Sequence, residues 1–381
     1  MVKKVLYVSG TRADYGLMVT VLRDIDACPQ LNLEIVATGL HLMPEFGLTI
    51  NEVRNSGFKL HEVDATYDRD TKASMACFCG KFIQKFTARM VDLKPDVILL
   101  LGDRAEMLAA AIVGTYLDIA VAHVHGGDIS STVDEPVRHA ITKLAHVHFP
   151  ATKRSAERLT NTGEEGWRVH CVGSPAIDAI ASAQFTDPKK LAAKYDLDVS
   201  EPVLLAIQHP VSNEYRAASE QIRTTLDALV ETGYQTVLIF PNADAGGRAI
   251  IEALNAYKSI KQFRQFKSIS RSDYLGLLSL ASVMVGNSSS GIIEAPSFQL
   301  PAVNIGTRQE GRERACNVID ARYDKSEIVA AINFALFDAD LRECLRTCRN
   351  PYGDGAAGKR IVKVLKDLEI SDQLLRKRLV S

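Results

Sequence analysis

Residues 5–38 read VLYVSGTRADYGLMVTVLRDIDACPQLNLEIVAT. An apolar run, Val5–Ser9, ends in the glycine-bearing loop GTRADYG (10–16); a helical pattern follows over Leu17–Ala27, and a second apolar run over Leu33–Thr38. Short continuous runs of Val, Ile and Leu that alternate with helices are the pattern of parallel strands buried on both faces. The pattern recurs along the chain. Asp96–Leu101 leads through GDR into Glu106–Gly114, and Ile119–Val124 leads into a histidine-rich stretch. Val203–Gln208, Thr236–Phe240, Val283–Gly286 and Ala302–Ile305 follow. The class is α/β, with parallel sheets.

A chain of 381 residues is too long for one ordinary core, so two domains are expected. The rhythm breaks near Val172–Ser200, where GSPAIDAIAS gives way to the polar, lysine-rich FTDPKKLAAKYDLDVSEP. The expected domains are 1–172 and 173–360, and residues 361–381 belong to a basic terminal helix placed near 359–379.

A net charge of -1 provides no field to recruit nucleic acid or an anionic membrane. A phosphate-bearing ligand has to be held by local groups. No run approaches the roughly 20 apolar residues of a membrane span. The start MVKKVLYVSG lacks the apolar core and cleavage site of a signal peptide. The seven cysteines are odd in number and form no C-x-x-C pair, which fits reduced thiols in a cytoplasmic protein and argues against zinc held by cysteine.

In doubly wound sheets, ligands sit beyond the carboxyl ends of the strands, so the loops there carry the chemistry. GTRADYG is not the G-x-G-x-x-G of dinucleotide sites, but Arg12 is suited to a phosphate, with a solvated arginine as the alternative. VGNSSSGIIEA (285–295) offers Ser288, Ser289 and Ser290 at a helix start, where the dipole favours a diphosphate. One serine suffices for an ordinary cap. Glu294, one turn on, suits ribose hydroxyls or merely complements the dipole, and Arg308 in TRQEGRERA (307–315) is a further phosphate candidate. His209 in IQHPVSNEY (207–215) and Asn242 in FPNADAGG (240–247) sit just past strands, where turn chemistry alone would also explain them.

Five of the nine histidines lie in VAHVHGGDISSTVDEPVRHAITKLAHVHF (121–149). His123 and His125 alternate on a strand end and point to opposite sides, and H-x-x-x-H spacing is absent, so a metal site is not expected. His139, His146 and His148 are assigned to the fold. GDRAEM (102–107) places Asp103 after a buried strand and Arg104 at a helix start. With Asp134 and His125 on a neighbouring loop, Asp103 completes an acid/base set.

In order, GTRADYG, LLGDR, HVHGG, VDEPVRHAITKLAH, HP, FPNADAGG, GNSSSGIIEA, GTRQEGRE and NPYGDG resemble the hydrolysing UDP-N-acetylglucosamine 2-epimerases of sialic and legionaminic acid biosynthesis, from residue 5 to about 361. The resemblance implies a GT-B fold, two Rossmann-like domains facing a central cleft, with the last helix crossing back to the first domain. It implies release of UDP and the free 2-epimer (N-acetylmannosamine from UDP-N-acetylglucosamine) without metal or nicotinamide, by elimination of UDP and then hydration. It puts Asp103 and Asp134 at catalytic carboxylate positions and His209 at the diphosphate or the reacting sugar. Arg12, Asn242, Ser288, Ser289, Glu294 and Arg308 fall at nucleotide-binding positions. A homodimer or homotetramer is the implied assembly. His125 departs from the His-x-Glu-Gly-Gly of one branch, Leu101 replaces a histidine of that branch, and Ser131 stands where glycine is usual. A bacterial branch carries His-x-His-Gly-Gly, which leaves UDP-N,N'-diacetylbacillosamine as an alternative substrate. The non-hydrolysing 2-epimerases carry His-x-Glu-Ala-Gly, absent here. A UDP-sugar sensor without turnover is the reading from a different class.

Overall fold

The computed structural model describes residues 2–380 apart from 70, 131–133, 183, 184, 212, 243 and 379, with the side chains of 45 and 72 left aside. Ser131 therefore lies outside the described residues. The chain forms two compact units. One holds the chain up to Asp128, Asp134–Ala181 and the C-terminal segment from Tyr352. The other holds Ser182–Pro351 and the short piece that starts at Ile129.

The first unit is built on six parallel strands: β1 (Lys3–Ser9), β2 (Leu31–Ala37), β3 (Lys59–Glu62), β4 (Val97–Leu101), β5 (Ala120–Val124) and β6 (Val147–Phe149). They pair in the order β3-β2-β1-β4-β5-β6. Side chains alternate across each strand, and both faces are covered. Val5, Tyr7, Val97 and Leu99 pack on one side with the helix Arg12–Asp26 and with Ile361 and Leu365 near the C-terminus. Leu6, Val8, Ile98 and Leu100 pack on the other with Phe78, Phe82 and Phe86 of the helix Lys72–Leu93. That is why the interior strands read as unbroken apolar runs.

The second unit repeats the design. It holds β7 (Val203–Ile207), β8 (Gln235–Ile239), β9 (Phe263–Phe266), β10 (Val283–Gly286), β11 (Ala302–Ile305) and β12 (Val318–Ala321). Their order, β12-β11-β10-β7-β8-β9, is the same topology. In each sheet the winding reverses beside the first strand, between β1 and β4 and between β7 and β10. Such switch points open a crevice at the carboxyl ends.

Two boundaries differ from those expected. The first stretch of unit one runs to Ala181 rather than 172, and the chain returns at Tyr352 rather than 361. The cause is the helix Pro175–Ala181: its Asp178 carboxylate accepts from Ala357 N (3.0 Å) and Gly358 N (2.6 Å), capping the helix Ala357–Asp367. The terminal helix is also two helices, Ala357–Asp367 and Asp372–Leu375. Leu368 is extended, and Lys3 Nζ donates to the carbonyls of Leu365 (2.7 Å), Lys366 (3.2 Å) and Leu368, ending the first helix. Among the described residues no helix is long and apolar enough to cross a membrane.

Candidate active site

In the first unit, the loop after β1 is held by a capping box. Thr11 Oγ1 accepts from Asp14 N (3.2 Å), and Asp14 Oδ2 accepts from Thr11 N (2.7 Å) and Gly10 N (3.1 Å). Ser9 also donates to Asp14. Burial raises the Asp14 carboxyl to about 6, against the pull of its hydroxyl donors. Gly10 leaves room for Glu106: a Cβ would sit 1.8 Å from Oε1 of that side chain, which is 1% exposed and would have to move. Arg104 precedes the helix Ala105–Tyr116 and donates from Nε to Glu106 (2.8 Å). Arg12 pairs with Glu52 at 2.6 Å.

The acidic set lies at the ends of β4 and β5. Asp103 is paired with Arg138, a guanidinium only 2% exposed that also donates to Asp128 O at 2.9 Å. Burial disfavours the charge of Arg138, but Asp103, Asp128 and Asp134 together outweigh it and raise its pKa. Asp134 opens the helix Asp134–Leu144, one turn before Arg138. The structure thus gathers Asp103, Asp128 and Asp134 around one buried cation. His125 follows β5 in a left-handed conformation (φ 66°), its nitrogen bound to Phe149 O at 3.0 Å. Its ring reaches Ser174 Oγ (3.0 Å, Nε2) and Asp128 Oδ2 (3.4 Å, Nδ1).

The other histidines serve the fold. His123 binds Gly102 O at 2.7 Å, and burial lowers it to about 3. His146 accepts from Val121 N (3.0 Å) and is lowered by burial to about 4. His148 is paired with Glu164 at 3.0 Å. His139 lies near Glu135 (3.4 Å), one turn back on an exposed helix face.

In the second unit, the loops after β7, β8, β10 and β11 converge. Asn287 Oδ1 accepts from His209 N (2.7 Å), and its Nδ2 donates to His209 O (2.8 Å), so the amide extends the sheet at the switch point. His209 Nδ1 accepts from Asn242 N at 3.1 Å. The ring proton is therefore on Nε2, and burial, helped by Arg308, lowers the imidazole to about 3. His209 is a neutral hydrogen-bond donor. Arg308 donates to Asn287 O at 3.0 Å, and Gln309 to the same oxygen at 2.9 Å.

The serine loop differs from its expectation. Its helix, Ser290–Ile293, has four residues, because Pro296 turns the chain into a 3-10 segment. A single turn carries little macrodipole. Ser290 is buried and accepts from Tyr274 OH, and Glu294 is buried against Arg271. Ser288 Oγ accepts from Ser290 N at 3.4 Å, and Ser289 makes no side-chain cap. His209, Asn242 and Arg308 are brought together; Ser290 and Glu294 are engaged with Tyr274 and Arg271.

Sequence reasoning passed over Arg138, Asp128, Glu106, Ser174 and Asn287. Arginine and glutamate are seldom buried, so their type gave no signal. Asn287 had one, since it follows a strand at the switch point, but the three serines beside it drew the attention.

A family model described as UDP-N-acetylglucosamine 2-epimerase matches residues 23–366. A Legionella pneumophila protein, UDP-N,N'-diacetylbacillosamine 2-epimerase (hydrolyzing), is 39% identical over 378 residues, 99% of each chain. A Neisseria meningitidis UDP-N-acetylglucosamine 2-epimerase is 35% identical over 346 residues, 89% of this chain and 90% of the relative. The crystal structure of UDP-GlcNAc 2-epimerase from Neisseria meningitidis bound to UDP-GlcNAc matches with a TM-score of 0.81 at 21% identity, covering 96% of this chain and 100% of that one. The fold is of the GT-B type expected from the sequence.

Proposed function

The chain belongs to the UDP-N-acetylglucosamine 2-epimerase family, and on that premise we propose that it hydrolyses a UDP-2-acetamido sugar to UDP and the free 2-epimer. The observation that carries this reading is the cluster of Asp103, Asp128 and Asp134 around buried Arg138 at the first switch point. Loss of UDP builds positive charge at carbon 1, which acidifies the proton on carbon 2. A fixed carboxylate stabilises that charge and takes the proton, giving a glycal. Water then adds to the double bond, with the proton returning to the opposite face of carbon 2.

In this reading Asp103 and Asp134 are the carboxylates that meet the sugar, and His125 moves a proton beside them. The second unit receives UDP. His209 donates a hydrogen bond rather than a proton, because its ring is neutral, and Arg308 answers the diphosphate charge. Asn242, Ser288, Ser289, Ser290 and Glu294 line the nucleotide side, and Arg12 and Arg104 the phosphate side of the first unit. The chemistry asks for neither metal nor nicotinamide. We further place the enzyme in the cytoplasm as a homodimer or homotetramer, a state that light scattering reads directly.

The Legionella relative favours UDP-N,N'-diacetylbacillosamine as substrate; the Neisseria relative favours UDP-N-acetylglucosamine. The higher identity and fuller coverage put the diacetylated sugar first. The test is phosphorus and proton NMR of EDTA-treated protein with each nucleotide sugar in deuterated water. Free UDP with a 2-epimer deuterated at carbon 2 is the expected product. Intact UDP-sugar in both tubes overturns the reading, and an undeuterated product overturns the elimination step.

A further inference from the structure

The ring of His125 touches Asp128 and Ser174, and neither contact has a part yet in the reaction. Its backbone is in the left-handed region, uncommon for a residue with a Cβ, and the turn that imposes this is tight. A Cβ on Gly126 would lie 3.0 Å from His123 Nδ1, and one on Gly127 2.4 Å from Ser155 O. The loop therefore presents the imidazole at one fixed angle. Nδ1 faces Asp128 Oδ2 at 3.4 Å, and Nε2 faces Ser174 Oγ at 3.0 Å. Asp128 is itself fixed: Oδ1 accepts from Ser155 Oγ (2.8 Å), and its backbone oxygen accepts from Arg138 (2.9 Å). Ser174 is buried, and its own N–H donates to Tyr352 O at 2.6 Å.

The geometry points to Asp128 as the positioning residue of His125. Its carboxylate oxygen, 3.4 Å from Nδ1, favours the proton on that nitrogen, so that Nε2 carries the lone pair and accepts from the Ser174 hydroxyl. When Nε2 takes up a proton, Asp128 balances the imidazolium. Among the described residues, charged side chains bound to the backbone on either side of this ring are Arg138, which donates to Asp128 O, Arg158 of the helix Lys153–Asn161, which donates to Gly127 O, and Arg360 of the helix Ala357–Asp367, which donates to Val172 O at 3.0 Å. Asp128 also helps to balance Arg138, and its Oδ2 is the carboxylate oxygen 3.4 Å from Nδ1. The inference rests on the hydrolysing reading for its kinetic consequence but not for its geometry.

Asp128→Asn keeps an oxygen for Ser155 and removes the charge. We expect kcat to fall about 10–100-fold with KM within about twofold. Asp128→Glu restores part of the rate. Nitrogen-15 NMR of the His125 ring is expected to show Nδ1–H in the parent protein and a mixture of tautomers in Asp128→Asn. A loss of rate with the tautomer unchanged overturns the proposal and leaves Asp128 a structural loop residue. If the parent protein releases no UDP from either sugar, the proposed function fails, and the ring spectra alone decide the positioning. If Asp128→Asn does not fold, Asp128→Glu and Ser174→Ala carry the same comparison.

Discussion

The two switch points share one topology and hold opposite chemistry. At the ends of β4 and β5, beside the first switch point, the first unit sets Asp103, Asp128 and Asp134 around one buried guanidinium, and at the loop after β1 Asp14 lies near Glu106. Between β7 and β10, the second unit sets a neutral histidine, the amides of Asn242 and Asn287, and the cation Arg308. The winding of the sheet decides where the loops meet. The residues just past each strand decide the charge of the meeting place, and in the proposed function the first set stabilises a developing cation and the second a departing anion. Under the proposed function, the two sets take different parts of one reaction.

Breaking each side separately should break different kinetic constants. Asp103→Asn and Asp134→Asn are each expected to lower kcat by at least about 100-fold with UDP affinity within about threefold, whereas Arg308→Ala and His209→Ala mainly weaken UDP binding. Steady-state kinetics with UDP titration calorimetry separates the cases. Loss of UDP affinity in Asp103→Asn would dissolve the division. Asp103→Asn also strips buried Arg138 of a partner, which costs about 1–3 kcal/mol because Asp103 is partly exposed. Asp103→Asn with Arg138→Met should regain that stability and stay inactive, separating fold from chemistry.

The glycines after β1 and at the end of β10 sharpen the contrast. Gly286 has φ 124°, and a Cβ there would lie 2.1 Å from Ile207 O, a backbone atom of a buried strand that cannot retreat. At Gly10 the obstacle is the end of the Glu106 side chain, which can rotate. Gly286→Ala is expected to cost more than about 3 kcal/mol and Gly10→Ala about 1–2. In urea unfolding, the first should move the transition of the second unit and the other that of the first unit. Equal costs would mean that Glu106 is as fixed as backbone.

How far the sequence could be read follows the same physics. The eight interior strands were legible because burial on both faces demands continuous apolar runs. The four that were not, β3, β6, β9 and β12, are the four edges of the two sheets. An edge strand pairs on one side only, so KLHE, FRQF and VIDA can be polar, and VHF needs only three residues. At the site, the loops were legible and the partners were not. Asp103 after LLLG stood out, but nothing in the stretch DEPVRHA says that Arg138 turns inward to meet it. The helix of the serine loop is shorter than the sequence suggests, because Pro296 stops it after one turn.

The first unit holds a second buried ion cluster that tests what makes the first one functional. Glu164 meets His148 (3.0 Å), Lys143 (2.8 Å) and Lys377 inside the fold. Burial alone would raise its carboxyl, but these three partners lower it to about 2. A depressed carboxylate stabilises the fold above its ordinary pKa of about 4.5 and loses that contribution as pH falls toward about 2. Glu164→Gln should therefore cost ~3 kcal/mol at pH 7 and much less at pH 2.5, with kcat of the surviving folded protein little changed. Thermal melts at both pH values read the difference. A parallel loss at both would mean the cluster acts through packing.

The smallest expected effects decide whether the serine loop belongs to the anion side at all. Ser289 makes no cap hydrogen bond, so Ser289→Ala should change stability by less than about 0.5 kcal/mol. Ser290 accepts from Tyr274 OH in a buried position, and Ser290→Ala should cost about 1 kcal/mol. If the loop holds a phosphate, Ser289→Ala weakens UDP binding about 3–10-fold with no change in melting temperature, while Ser290→Ala lowers the melting temperature first. Calorimetry with UDP on both variants separates the roles. Undiminished UDP affinity in Ser289→Ala would leave the anion to Arg308, His209 and the backbone, and the contrast between the two switch points would rest on the amide and guanidinium groups alone.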